Sequence, residues 1–438
     1  MNYRVILAGK LNRITLGNIA KSKFNQDVLW NIFSLGILAV GGIIISLIIA
    51  KLRGPEALGI FNQVFAFYIV LSQIGVGGLQ FSVLKNISYN QGSPIACADI
   101  TIVALIIVAI ISGVIAWGCF VLAGWVAKLL DSPDVGLGLR LITPGLIFFS
   151  LNKVLVMALN GLRQMKAYAV FRALRFILIP IGIIIIIWLG RPNAYLALSL
   201  TLTEVILFVG LVIYVNARLF FIKAPANFRQ WFHAHLSFGA RGVLSGVLIE
   251  LNTRVDIIML GYFSTDAMVG VYSFAAILAE GFSQIPLVLR WNVDPIIGRY
   301  FSEGHKEQIS VLAGKIKRVF YPVMGLIGVL AILLYPVLLQ LWMPETAVIV
   351  SWGVFVLIIV GVVLNAGYRP FGGIMLQGGR PGSYTLFVGG MVLSNVVLNI
   401  ALIPILGIYG AAVATAVVYV LEAILIVISA KKLFGIQL

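Results

Sequence analysis

Gly59-Ile60-Phe61-Asn62, followed by Ser72-Gln73-Ile74, returns as Gly270-Val271-Tyr272-Ser273 followed by Ser283-Gln284-Ile285, 211 positions on. Leu159-Asn160-Gly161-Leu162-Arg163 returns as Leu376-Gln377-Gly378-Gly379-Arg380, a shift of 217. Glu204-Val205-Ile206-Leu207-Phe208-Val209 returns as Glu422-Ala423-Ile424-Leu425-Ile426-Val427, a shift of 218. Every copy lies in or beside a long apolar segment. Apolar segments share few residue types, so one match carries no weight. Three in the same order at a near-constant offset point to two similar halves. That is the usual plan of a secondary transporter, with the substrate path between the halves.

Composition places those halves in a membrane. Of 438 residues, 61% are hydrophobic and 11% charged, and the mean hydropathy is +1.08. Soluble domains carry about 25% charged residues. Net charge is +16, from 31 Lys and Arg against 15 Asp and Glu. Topology signals and an anionic substrate would both ask for such an excess, and position decides between them. Cys97 and Cys119 fall near opposite ends of one expected helix, roughly 33 Å apart at the helical rise, too far to pair. The first 26 residues hold five basic residues and no acidic one. The apolar run Val28 to Ala50 is too long for a signal-peptide core, and no small-residue cleavage site follows, so it reads as a retained first helix.

A helix crosses a bilayer with about 20 apolar residues. Twelve such segments are expected, near 28–50, 59–84, 100–124, 138–160, 169–190, 195–217, 238–262, 269–293, 319–342, 349–375, 384–405 and 410–430. The charge-free run Pro381 to Leu421 holds two of them. Pro404 and the turn Gly407-Ile408-Tyr409-Gly410 divide it. With the amino terminus inside, nineteen Lys and Arg fall in inside loops, while outside loops hold Lys51, Arg53, Lys128 and Arg191. Both termini are therefore expected in the cytoplasm. Arg172 and Arg175, at the inner end of the fifth helix, are expected to snorkel to the interface. The expected organisation is a basic cytoplasmic segment over 1–26, a six-helix bundle over 27–217, a cytoplasmic linker over 218–237, a second bundle over 238–430 and a cytoplasmic tail over 431–438. Residues 218–237 and 294–318 read as amphipathic helices on the inner membrane face.

A charge inside the hydrocarbon is costly and normally faces a cavity or a partner. The candidates are Lys153, Glu204, Arg241, Glu250, Arg254, Asp256, Glu280, Arg290, Arg369 and Glu422. Glu250 and Arg254 are four apart and share a helix face. Either they neutralise each other or Arg254 lines a cavity. Asp256 points about 200° round from Arg254 and needs a different neighbour. Glu204 and Glu422 hold matching places in the two halves. Each reads as a protonated, hydrogen-bonded glutamic acid or as an ion-coupling group. Glu280 lacks a charge partner one turn away and suits a proton or sodium ion. Lys153 and Arg369, in the inner third of their helices, either snorkel or meet a phosphate entering from the cytoplasm. Arg290 and Asp294, four apart, suit a structural pair. Asn395 and Asn399 suit hydrogen bonds between helices.

Other chemistry is missing from the sequence. There is no phosphate-binding loop of the G-x-x-x-x-G-K-S/T form, which argues against ATP as direct energy source. No nucleophile elbow, zinc-ligand spacing or catalytic carboxylate pair occurs. His233-Ala234-His235 has no Cys or acidic residue beside it and does not read as a metal site. The short outside loops leave no room for a catalytic domain, which argues against a polysaccharide polymerase or ligase.

Three blocks carry a family resemblance. They are Lys51-Leu52-Arg53-Gly54-Pro55-Glu56-Ala57-Leu58-Gly59-Ile60-Phe61; Val255-Asp256-Ile257-Ile258-Met259-Leu260-Gly261-Tyr262-Phe263 with Val269-Gly270-Val271-Tyr272-Ser273-Phe274-Ala275; and Asn399 through Pro404 with Gly407-Ile408-Tyr409-Gly410-Ala411-Ala412-Val413-Ala414-Thr415. With them the chain resembles the polysaccharide-transport branch of the multidrug/oligosaccharidyl-lipid/polysaccharide exporter superfamily, the Wzx-type flippases. The resemblance implies an all-α integral membrane fold of twelve helices in two bundles related by a parallel pseudo-two-fold, with alternating access around a central cavity. It also implies export of undecaprenyl-diphosphate-linked oligosaccharide, such as an O-antigen or exopolysaccharide repeat unit, across a bacterial inner membrane.

On this reading the protein is a transporter and not an enzyme. It needs no cofactor beyond a proton or sodium gradient. Its partners are the lipid-linked oligosaccharide and glycan-assembly proteins such as a polymerase or chain-length regulator, with no nucleic acid. Arg254, Lys153, Arg369, Arg241 and Arg290 are the expected substrate contacts. Asp256, Glu250, Glu280, Glu204 and Glu422 are the expected ion-coupling groups, and no metal site is expected. The alternative is a multidrug or organic-cation antiporter of the same superfamily, and a third reading is a scaffold in a glycan-assembly complex.

Overall fold

A bilayer offers no water to satisfy backbone groups, so long apolar segments must close their hydrogen bonds internally as helices. The computed structural model describes residues 23–220, 224–340, 342 and 344–438, and helices account for nearly all of them, with no strand among the described residues. The expected amino-terminal segment over 1–26 lies outside the described residues as far as residue 22. The first half contains α1 (Lys23–Val76), α2 (Leu79–Tyr89), α3 (Pro94–Leu129), α4 (Pro133–Gly161), α5 (Met165–Trp188) and α6 (Leu198–Arg218). The second contains α7 (Phe228–Phe263), α8 (Asp266–Ser302), α9 (Lys306–Leu339), α10 (Glu345–Asn365), the single turn α11 (Ile374–Gln377), α12 (Pro381–Leu406) and α13 (Ile408–Phe434). "Inner" below denotes the side bearing the Lys- and Arg-rich loops.

Local signals set the starts. Ser93 and Ser132 cap α3 and α4, each accepting from an amide three residues on at 3.3 Å, with a proline opening the helix. α1 hides a reversal. Gly54, at φ 83° and ψ 177°, breaks the helix just before Pro55. A methyl on Gly42 would touch Ile277 of α8 at 3.2 Å, while Gly59 meets α8 at Asp266 and Gly270. An unbroken helix would hold positions 42 and 59 about 25 Å apart, whereas 270 and 277 are about 10 Å apart. The second arm then descends along α7, with Gln63 against Gly261, Gln73 against Gly246, and Gly78 against Gly239. Among the described residues, ten helices are long and apolar enough to cross a membrane by composition. Counting the two arms of α1 separately, and adding α7, whose Glu250, Arg254 and Asp256 lower its hydropathy, gives twelve.

The repeat is visible in the packing. A methyl on Gly59 would overlap the carbonyl of Asp266, and a methyl on Gly270 would overlap that of Pro55. Gly59 and Gly270 are 211 residues apart, as are Pro55 and Asp266, so one contact becomes the other on exchanging halves. A reciprocal contact of this kind is the mark of a two-fold relation. Both helices run from outside inward, so the axis lies along them and across the bilayer. Glycine is required on both sides, because backbone meets backbone there.

The linker differs from expectation. Residues 228–237 form no separate surface helix; they continue into α7. At 36 residues this helix is about 54 Å long, well beyond a 30 Å hydrocarbon layer, so its inner third projects. Asp99 holds its start, accepting from the amides of Ala226 and Asn227 at 3.1 Å each. His235 is buried against the Ser82 hydroxyl at 2.9 Å and the Ile100 carbonyl at 3.0 Å, a packing role. Likewise 294–318 is the end of α8, a turn and the start of α9. The expected segment 349–375 stops at Asn365. Gly367, Pro370, Gly372 and Gly373 follow, and Pro370 has no amide to continue the ladder.

Candidate functional site

A cavity of about 350 Å³ lies within the carboxy-terminal bundle. Its walls come from α7, α8, α12 and α13, with Ile358 from α10, Arg369 from the broken stretch after it and, among the described residues, only Asn62 from the amino-terminal half. The sequence pointed to a path between the halves; in this state the space belongs to one of them. Along α8 it extends from Tyr272 to Arg290, about 27 Å at the helical rise. One stripe of α13, Thr415, Val418, Tyr419 and Glu422, faces it at helical spacing.

The outer end is built around Asp256. Its carboxylate accepts from Asn399 Nδ2 at 2.7 Å, Thr415 Oγ1 at 2.6 Å and the Tyr272 hydroxyl at 3.1 Å. Asn399 Nδ2 also reaches Asn395 Oδ1 at 2.7 Å, and Asn399 Oδ1 is buried with no partner. Four helices thus bring oxygen atoms to one point. Asn395 and Asn399 do join helices, as their spacing implied, by serving Asp256.

Three arginines line the rest. Arg254 stands at the boundary between bundles, its guanidinium carbon 5.5 Å from the Phe65 ring centre. Its Nε is buried with no hydrogen-bond partner in the protein. No ion pair joins it to Glu250, although the two share a helix. Arg369 lies 5.2 Å over Tyr419. Its Nη1 is also buried without a partner, and Glu422 and Glu280 line the same cavity. Arg290 is held at the inner mouth by Asp294 at 3.5 Å and lies 5.8 Å over Tyr384. Buried guanidinium groups beside aromatic faces, with open donors, suit an anionic group carried with apolar or ring-shaped surface.

The remaining candidates sit elsewhere. Lys153 donates to Ser72 Oγ at 3.0 Å and Gln73 Oε1 at 3.1 Å inside the first bundle, and lies 4.6 Å over Phe149. Glu204 is 1% exposed and bonded, accepting from Arg175 Nε at 2.6 Å, Arg175 Nη2 at 3.1 Å and Asn152 Nδ2 at 2.8 Å. Arg175 therefore turns inward to a partner, where snorkelling was expected. Glu422 and Glu280 line the cavity, and Glu422 accepts from Asn365 Nδ2 at 2.6 Å. The Arg241 side chain lies outside those described. Among the described residues no group of His, Cys, Asp or Glu is arranged to hold a metal ion.

The sequence contained signals for the residues it missed. Asn152 and Asn365 are 213 apart, close to the repeat offset, and bond the paired glutamates in both halves. Tyr272 and Thr415 stood inside quoted blocks without a role, because polar contacts between helices leave no trace in spacing along one helix.

Solved structures share this architecture at low identity. A lipid II flippase MurJ in an inward closed conformation matches with a TM-score of 0.74 and 14% identity, covering 92% of this chain and 88% of that one. An inward-facing multidrug resistance MATE family transporter of the MOP superfamily matches with a TM-score of 0.74 and 14% identity, over 92% and 98%. A MOP superfamily transporter from Pyrococcus furiosus, described as having a binding pocket of reversed polarity, matches at 0.61 and 14%, over 97% and 99%. No curated protein matches the sequence. The model of the polysaccharide biosynthesis protein family matches residues 24–287, more than half of the chain. With that match over a twelve-helix, two-bundle membrane fold, the chain belongs to the polysaccharide biosynthesis protein family and has the fold of the MOP-superfamily transporters.

Proposed function

We propose that this protein is a flippase moving diphosphate-linked oligosaccharide on a polyprenyl lipid from the inner to the outer leaflet of a bacterial cytoplasmic membrane. The observation that supports it is the pair Arg254 and Arg369, two cavity-lining guanidinium groups each with a buried nitrogen that has no protein acceptor. A donor left unpaired inside a membrane protein costs free energy unless a ligand meets it. A diphosphate supplies acceptors in the planar geometry that arginine matches. The lipid tail stays in the bilayer while the headgroup passes through polar space.

Energy comes from counter-transport of a proton or sodium ion, with Asp256 as the coupling group. Oxygen atoms from Asp256, Asn395 and Thr415 suit a hard cation, which would take the place of the Asn399 amide that donates to Asp256 and Asn395. Glu280 and Glu422 are the further carboxylates open to the same cavity. Both termini are cytoplasmic, so reporter fusions at Pro133 and Glu345 read outside and those at Ser302 and Leu438 inside; an outside carboxy terminus overturns that topology.

The decisive measurement pairs membrane abundance with surface glycan. Arg254→Ala and Arg369→Ala should abolish surface glycan at near-normal abundance. Arg254→Lys should keep part of the activity, since a point charge replaces the contact without its bidentate geometry. If both alanine variants export normally, the reading falls. The three cavity carboxylates favour the alternative, an organic-cation antiporter. It requires Glu280→Gln or Glu422→Gln to abolish efflux of an organic cation while the arginine variants keep it.

A further inference from the structure

Glu204 and Glu422 are repeat mates, and each accepts from an asparagine amide, Asn152 at 2.8 Å and Asn365 at 2.6 Å. From there the two sites part. Glu204 is closed off by Arg175, which stands ten residues into α5. The same place on α12, counted from its first residue Pro381, is Met391, and Met391 lines the cavity. The second half therefore repeats the carboxylate and the asparagine but not the arginine. The cation placed to answer Glu422 is Arg369: both line the cavity, and Arg369 lies over Tyr419, which stands one turn before Glu422 on the cavity face of α13. No ion pair closes between them: Glu422 keeps its bond to Asn365, and Arg369 keeps an open Nη1.

We propose that Glu422 is the resident counter-ion of Arg369, displaced by an entering phosphate group, and that it thereby sets the attraction a phosphate ligand must exceed. The inference rests on the reading that the cavity takes an anionic headgroup. A carboxylate already in place offsets the guanidinium charge, so a weakly charged ligand gains little by replacing it. A diphosphate brings more charge and two acceptors, and wins the arginine. Glu422 lets the cavity remain near neutral when empty, which a bilayer favours, and its displacement is a cost that every phosphate ligand must meet.

The test uses the full chain in lipid nanodiscs and two probes, farnesyl diphosphate and farnesyl monophosphate, in equilibrium binding. In the wild type the diphosphate should bind more tightly. Glu422→Gln keeps the shape and the Asn365 contact, and should tighten the binding of both probes by about tenfold, the size expected for one charge-assisted contact, because neither then displaces a carboxylate. Glu422→Ala should do the same and serves if the glutamine variant does not fold. Arg369→Ala should weaken diphosphate binding and remove any effect of a second substitution at Glu422. Weaker or unchanged monophosphate binding in both Glu422 variants, with Arg369→Ala still harmful, overturns the counter-ion role and leaves the anion-binding reading standing. If the wild type binds neither probe, or Arg369→Ala binds as well as the wild type, the anion-binding reading falls and the counter-ion role with it.

Discussion

Lys153 and Arg369 occupy one place in the two bundles when the turns that follow them are superposed. α4 ends with Gln164 N donating to Leu159 O at 2.9 Å and Arg163 at φ 55°. α11 ends with Arg380 N donating to Met375 O at 2.8 Å and Gly379 at φ 73°. The repeat in these turns is therefore 216, one less than matching residue types suggests, because the left-handed position is what recurs. On that register Lys153 matches Arg369. Asn152 directly precedes Lys153, but Asn365 stands four residues before Arg369, so the second half has gained three residues. That insertion, with Gly367 and Pro370, unwinds the helix and hands Arg369 to the cavity. In the first half Lys153 bonds Ser72 and Gln73; in the second, their repeat mates Ser283 and Gln284 line open space. The same side chains are cross-braced in one bundle and left facing a cavity in the other. What separates them is backbone continuity and one arginine on a neighbouring helix.

The comparison breaks most visibly at Arg175. Arg175→Met copies α12 into α5 and leaves the Glu204 carboxylate buried and unpaired. We expect a loss of about 3–5 kcal/mol, read as lower membrane abundance and earlier thermal unfolding, with Glu204→Gln restoring much of it. Unchanged abundance would mean the first bundle does not depend on its pair. The converse graft is Met391→Arg. It should build the missing pair with Glu422, shift thermal unfolding upward by about 1.5–3 kcal/mol of added stability, and abolish transport by filling the cavity. Transport at the normal rate would show that this cavity is not the path.

Two smaller effects sharpen the symmetry. Gly59→Ala and Gly270→Ala strike reciprocal halves of one contact, so each should cost about 1–3 kcal/mol by overpacking, and the two costs should agree. A large difference between their unfolding midpoints would show the contact to be two-fold in appearance only. Last, Glu250→Gln and Arg254→Gln should add in their effects on unfolding to within about 0.5 kcal/mol, since no ion pair joins them. Recovery of abundance and surface glycan in the double variant would restore the neutralising pair that their spacing allowed and return Arg254 to a structural role.

Much of this was legible in the residues. Hydropathy located the spans because each must offer an apolar surface to lipid, and Gly407, at φ 57°, marked the last turn because it leaves the helical ladder, whereas Pro404 stays inside α12. The repeat of 211 pointed to Gly59 and Gly270, which meet on the axis. Less legible was the continuity of α7 through 228–237, where basic and aromatic residues read as a surface helix although nothing in them stops a helix. Least legible was the fate of each buried charge. Glu204 and Glu422 sit in similar sequence, yet Arg175 on the preceding helix comes to one, while Met391 stands at the matching place before the other.

By itself the sequence determined the membrane class, the helical content, the doubling of the fold and the set of polar groups placed among apolar ones. These depend on composition and short-range periodicity, which the chain states directly. Tertiary structure alone decided that the cavity lies in the second bundle, that Asp256 gathers Asn399, Thr415 and Tyr272, and that Arg254 turns from Glu250 toward Phe65. Each of those outcomes depends on side chains from separate helices meeting at distances of a few ångströms, and no spacing within one helix encodes that meeting.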